Sequence, residues 1–151
     1  SLSLHADGAG AKDLWLPAPA SMRNPRLTAE MMERGEHFPQ MNGKQVFRWA
    51  TEKMPQVALE ALSATGLGIG DIDLFVPHQA NMRINQLVAS KLGLPEDKVV
   101  HNITRYGNTT AATIPIGLSE AYAEGKISEG KTVLTAAFGS GYTWGAGVLR
   151  I

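Results

Sequence analysis

Between residues 44 and 65 the apolar positions Val46, Ala50, Met54, Val57, Ala58, Ala61 and Leu62 recur at helical spacing, which draws one stripe along a helix. Gly66 supplies a stop, and Pro55 inside the run predicts a kink because it removes a backbone donor. A second helix is predicted over residues 80–92, with Ile84, Leu87, Val88 and Leu92 on one face and Gly93 as its terminator. Residues 72–76, between the two, form a short apolar run of the kind found in strands buried on both faces. Residues 98–102 predict another short strand. Residues 131–138 predict a long one, "KTVLTAAF", broken by Gly139-Ser140-Gly141, and residues 142–151 return as its hairpin partner.

The first six residues alternate Leu2, Leu4 and Ala6 with polar neighbours, which predicts a strand closed by the turn at Asp7-Gly8. Residues 9–43 carry four prolines and three glycines and predict an excursion loop, with a helical turn or two at residues 28–36. In "RYGNTTAATIP", Asn108 or Thr109 can cap a helix whose first turns are made of small residues, permitting close packing, and Pro115 predicts a bend. The element order is α/β, most economically a mixed, mainly parallel sheet of about five strands with one antiparallel partner at its end. No short tandem repeat is present.

A length of 151 residues fits one domain. Fourteen basic residues balance fourteen acidic ones, which argues against strong nucleic-acid binding. There is no cysteine, which excludes disulfides, thiolate metal sites and a cysteine nucleophile within these residues and fits a reducing compartment. No apolar run approaches the roughly 20 residues of a membrane span, and the first residues lack the features of a signal peptide. The expectation is a soluble, cytoplasmic protein. Its histidines have no metal-ligand spacing, so no metal is expected.

In open α/β sheets, ligands bind outside the carboxyl ends of the strands. Three loops leave such ends here: "PHQAN", "RYGNTT" and "FGSG". They offer the imidazole of His78, the amide of Asn108 and the backbone N–H groups around Ser140, donors suited to a carbonyl oxygen that becomes negative during reaction. Taken singly, each also reads as structural: His78 as a satisfied polar residue, Asn108 as a helix cap, Gly139-Ser140-Gly141 as a hairpin turn. "FGSGY" lacks the first glycine of a nucleophile elbow, and "GSGYTWG" misses dinucleotide-loop spacing while leading into a strand.

The combination of "VPHQANMRI", "RYGNTTAATIP" with Asn108 thirty residues after His78, and "AFGSGYTWGAGVLRI" resembles β-ketoacyl-acyl-carrier-protein synthase III, a thiolase-fold condensing enzyme. "LHADG" and "MNGKQVF" fit the same family. The resemblance implies that these residues correspond to the C-terminal half of such an enzyme, and that the nucleophilic cysteine belongs to an N-terminal half. It implies transfer of an acyl group from acyl-CoA to that cysteine, then decarboxylation of malonyl-acyl-carrier protein and condensation, which starts a fatty-acid chain. Both thioesters are substrates, and no cofactor is expected.

By the same resemblance His78 and Asn108 stabilise the enolate, Ser140 stands where the family has a glycine whose backbone N–H serves a second oxyanion hole, and Phe138 lines the active site. Gly43, Phe47, Ala80 and Asn81 match positions that line the CoA tunnel. Arg48, Arg83 and Lys91 match basic positions where acyl carrier protein docks. The resemblance further implies a homodimeric parent enzyme, and inactivity of these residues alone in acyl transfer. Two alternatives stand beside this reading: a condensing acyltransferase of secondary metabolism, and a non-catalytic half-domain that binds a partner.

Overall fold

A computed structural model describes all 151 residues. The chain runs through β1 (Leu2–Ala6), a 3-10 turn at Gly8–Asp13, β2 (Leu14–Trp15), α1 (Ala29–Glu33), β3 (Gln40–Met41), α2 (Gly43–Ser63) and β4 (Leu74–Pro77). It continues through α3 (Met82–Leu92), α4 (Ile103–Tyr106), α5 (Thr113–Ala123), β5 (Thr132–Gly139) and β6 (Thr143–Arg150). The helix boundaries follow local chemistry. Asn42 and Asn81 accept the first free N–H groups of α2 and α3, from Gln45 and Arg83 respectively, and Gly93 ends α3 in the left-handed conformation that favours glycine. Thr28 caps the single short helix of the excursion, which closes on itself by pairing β2 with β3.

The main sheet has the order β1-β6-β5-β4. Strands β1, β5 and β4 point the same way and β6 opposes them. The expectation of a mixed sheet with one opposed strand therefore holds, but its position differs from the predicted end of the sheet. Because β6 is inserted between β1 and β5, two of the three ladders are antiparallel and only β4–β5 is parallel. The strand expected at residues 98–102 is reduced to one bridge between Val99 and Phe75, since Glu96–Lys98 forms a 3-10 turn. Four strands and that bridge make the sheet.

Every residue of β4 is buried. On one side α2 and α3 pack against the sheet through Met54, Val57, Leu62, Val88 and Leu92. On the other, α5 covers Leu74, Val76 and Val133 with Ala121. Gly117 sets that approach: a Cβ there would lie 2.8 Å from Val76 Cγ1. The small residues expected to allow close packing thus act at one identifiable contact. Pro115 falls in the first turn of α5, where a missing N–H breaks no helical bond, so it begins the helix and does not bend it.

Pro55 does interrupt α2, and the repair is visible. Without an N–H it cannot bond the Thr51 carbonyl one turn back. Lys91 reaches across from α3 and its Nζ donates to that carbonyl at 2.8 Å. Lys91, expected at the carrier-docking surface, is exposed on α3 and spends one of its three N–H donors on this bond. A second internal polar group has no such remedy: Asn85, wholly buried on α3, has neither carboxamide atom hydrogen-bonded.

Lys91→Met is expected to destabilise the protein by about 1–3 kcal/mol, because it orphans a buried carbonyl. In a Pro55→Ala background, where a helical N–H returns, the same change should cost about 0.5 kcal/mol or less. Denaturant unfolding of the four variants checks this, and equal costs in both backgrounds would reject the repair.

Candidate active site at the strand ends

His78 follows directly on β4, and its backbone N–H donates to Ala136 O at 2.9 Å, continuing the parallel ladder into the loop. The imidazole is half-buried. Its Nδ1 lies 2.6 Å from the Thr113 hydroxyl at the start of α5. Thr113 is itself 2% exposed and its hydroxyl has no other partner, so its proton goes to Nδ1. That leaves the imidazole proton on Nε2. Burial pushes the His78 pKa below its ordinary value and keeps the ring neutral near neutrality. A neutral imidazole held in one tautomer, with Nε2–H free, is therefore built into the fold.

Asn108 is oriented by a comparable device. Its Oδ1 accepts the backbone N–H of Thr110 at 2.9 Å, where a 3-10 turn leads into α5. Asn108 is not the helix cap, since Thr109 and Ala112 hold the cap positions of the 3-10 turn and of α5; its own Asx turn engages the oxygen and leaves Nδ2 available. The β5–β6 turn supplies the third component. Thr143 Oγ1 donates to Ser140 O at 2.9 Å, and Gly141 adopts a φ of 138° that a side chain would strain.

Tyr142 supports the turn from beneath, exchanging two backbone hydrogen bonds with Asp7. Gly10 lies so close that a Cβ there would collide with the Tyr142 ring. Burial, with Asp13 nearby, pushes the Tyr142 hydroxyl up to about 12, so it remains protonated.

His78, Asn108, Phe138 and Ser140 all line one open groove of about 860 Å³. Phe138 is mostly buried and stacks toward Tyr142 and Trp144, so it serves both core and groove. The groove continues over the face of β1, β6 and β5 that no helix covers. Leu2 and Leu4 are 68% and 69% exposed on that face, while Ser3 points inward. The alternation that predicts β1 thus turns its apolar side outward, with Gly145 and Gly147 leaving a shallow floor beside it.

The remaining predicted residues do not enter this groove. Gly43 begins α2, Phe47 follows one turn later, and Ala80 and Asn81 precede α3. Arg83 packs over the Phe47 ring at 5.8 Å, which draws these segments into one surface with Arg48 exposed nearby on α2. Asn81 is occupied in part as the α3 cap. No group of three His, Asp or Glu side chains is placed to hold a metal ion, and no helix is long and apolar enough to cross a membrane. Sequence reasoning missed Thr113, since nothing in the chain pairs it with a histidine thirty-five residues away.

Residues 62–151 match the family described as 3-oxoacyl-[acyl-carrier-protein] synthase III, C terminal. The chain belongs to that family. It is 45% identical over 149 residues to the β-ketoacyl-[acyl-carrier-protein] synthase III of Symbiobacterium thermophilum, covering 97% of this chain and 44% of that protein. The solved synthase III of Thermus thermophilus superposes with a TM-score of 0.88 at 43% identity, over all of this chain and 45% of that one. A priming β-ketosynthase of a polyketide pathway gives a TM-score of 0.80 at 33% identity, over 98% and 43%. The chain spans about 44% of the length of the curated relatives it matches.

A histidine held neutral in the fold has a pH signature. Its pKa lies below that of the unfolded chain, so its contribution to stability is complete above the ordinary value of 6.5 and is lost as pH falls through the folded value. His78→Gln should flatten this part of the stability profile, measured by urea unfolding from about pH 7.5 downward. An unchanged slope would contradict the neutral, buried imidazole.

Proposed function

We propose that this domain is the C-terminal half of a β-ketoacyl-acyl-carrier-protein synthase III, acting with a cysteine-bearing N-terminal half in the condensation that starts a fatty-acid chain. The observation that carries the reading is the pair of free donors, His78 Nε2–H and Asn108 Nδ2–H, each left available by a hydrogen bond on its other side and both opening on one groove. Family membership supports it. With no cysteine in its sequence, this chain by itself has no thiol to carry an acyl group and is inactive in acyl transfer.

The acyl group passes from acyl-CoA to the cysteine of the N-terminal half, releasing CoA. The backbone N–H of Ser140 donates to the thioester oxygen as it becomes negative. Malonyl-acyl-carrier protein then enters. As its carbon–carboxylate bond breaks, CO₂ leaves and the electron pair moves onto the thioester oxygen as an enolate. His78 and Asn108 hydrogen-bond that oxygen, and their stabilisation grows with its charge, so it favours the transition state. The enolate carbon attacks the acyl-cysteine carbonyl, the new carbon–carbon bond forms, and the cysteine departs as thiolate. A neutral His78 suits this step because the work is hydrogen-bond donation without proton transfer.

The exposed Leu2 and Leu4 face is where the N-terminal half packs, which removes an apolar surface from water and closes the groove against solvent. Gly43, Phe47, Ala80 and Asn81 line the approach for pantetheine and nucleotide. Arg48 and Arg83 meet the acidic carrier protein, for which a local positive patch suffices in a chain of zero net charge. The assembled enzyme is a cytoplasmic homodimer that uses both thioesters as substrates and needs no cofactor. A second reading, a priming synthase of secondary metabolism, is favoured by the likeness to the polyketide enzyme. Acyl-CoA and acceptor preference separates the two.

In the enzyme that carries this domain with its cysteine-bearing half, His78→Ala and Asn108→Ala should each slow malonyl-carrier decarboxylation by about 100- to 1,000-fold. Folded, substrate-binding variants with undiminished CO₂ release would remove the donor assignment.

A further inference from the structure

The side chain of Gln79, one residue beyond His78, is wholly buried and spans the point where two segments of the sheet part. Up to that point they are joined: Phe75 bridges Val99, and Val100 N–H donates to Phe75 O at 2.9 Å. Pro77 then ends the ladder, having no N–H to offer. One segment leads to His78 and the other toward Asn108. Gln79 Nε2 donates to Pro77 O on the first segment and to Val100 O on the second, both at 2.9 Å. Its Oε1 accepts the backbone N–H of Asn102 at 3.2 Å. One carboxamide thus replaces the backbone bonds that the separating segments no longer make to each other.

The bonding continues toward Asn108. Asn102, itself 2% exposed, donates from Nδ2 to Glu120 Oε2 at 2.8 Å. The same carboxylate accepts Arg105 Nη2 at 2.9 Å and the Tyr106 hydroxyl at 2.6 Å, both from α4. These three donors, Tyr106 foremost, hold Glu120 below the ordinary carboxylate range. Through Gly107, α4 leads directly to Asn108. A chain of hydrogen bonds, buried at Gln79 and Asn102 and open to solvent at Arg105 and Tyr106, therefore runs from the residue beside one donor to the helix that precedes the other.

We infer that Gln79 is a positioning residue which, through Asn102 and Glu120, sets the spacing between His78 and Asn108. The inference rests on the proposed donor role of those two residues. Its physical basis is geometric tolerance. Two donors on separate loops serve one oxygen only if both lie about 2.7–3.1 Å from it, and a displacement of about 1 Å can cost a hundredfold in rate. Gln79 touches no substrate, and its effect is confined to the donors it aligns.

The test uses the complete enzyme and a double-mutant cycle. Gln79→Leu should lower kcat for malonyl-carrier decarboxylation by about 10- to 100-fold with KM changed less than about twofold. In a His78→Ala background the same substitution should cost at most about threefold, because one remaining donor has no partner to be aligned with. Should Gln79→Leu fail to fold, Glu120→Gln, on a partly exposed and isosteric site, carries the same test with an expected loss of about 3- to 10-fold. Equal losses in both backgrounds, or no loss in either, would overturn the inference. Full activity of His78→Ala alone would instead remove the donor reading, and this inference with it.

Discussion

The parallel ladder between β4 and β5 brings together two loops that lie some sixty residues apart. Because both strands run the same way, their carboxyl ends emerge at one edge of the sheet, and the hydrogen bond from His78 N–H to Ala136 O carries the register into the loop. The turn containing Ser140 closes directly beyond β5, so it opens beside the imidazole. The close contact of Gly117 with Val76 then seats α5 on the same ladder and brings Thr113 within reach of Nδ1. His78, Thr113 and the Ser140 turn owe their proximity to this one pairing and to the glycine that lets a helix approach it.

Polar groups inside such a fold have to be satisfied, and the manner differs from place to place. At Pro55 a lysine from the neighbouring helix replaces the missing backbone donor. Where the β4 ladder ends, Gln79 replaces several backbone bonds at once. Around the groove, the bonds made by Thr113 and Thr110 serve a further purpose: each engages one polar atom of a side chain and so leaves the opposite atom as a free donor. Asn85 remains buried with neither carboxamide atom bonded.

The open side of the sheet shows the opposite economy. β1 presents Leu2 and Leu4 outward and Ser3 inward, an arrangement that costs free energy in water unless another layer covers it. The groove with His78, Asn108 and Ser140 lies against that uncovered face. The chain spans about 44% of the length of its relatives, and its candidate site lies against an apolar face.

Helical periodicity, turn residues and the "PHQAN", "RYGNTT" and "FGSG" loops made the principal helices, the long hairpin and three components of the candidate site legible in the sequence. Local spacing carries that information because helices and turns are built from neighbours along the chain. The insertion of β6 between β1 and β5, the loss of a strand at residues 98–102, the bond from Lys91 to α2 and the partnership of Thr113 with His78 were decided only by the tertiary structure. Each depends on which buried group would otherwise lack a partner. That is a property of segments distant in sequence and adjacent in space, which no local pattern records.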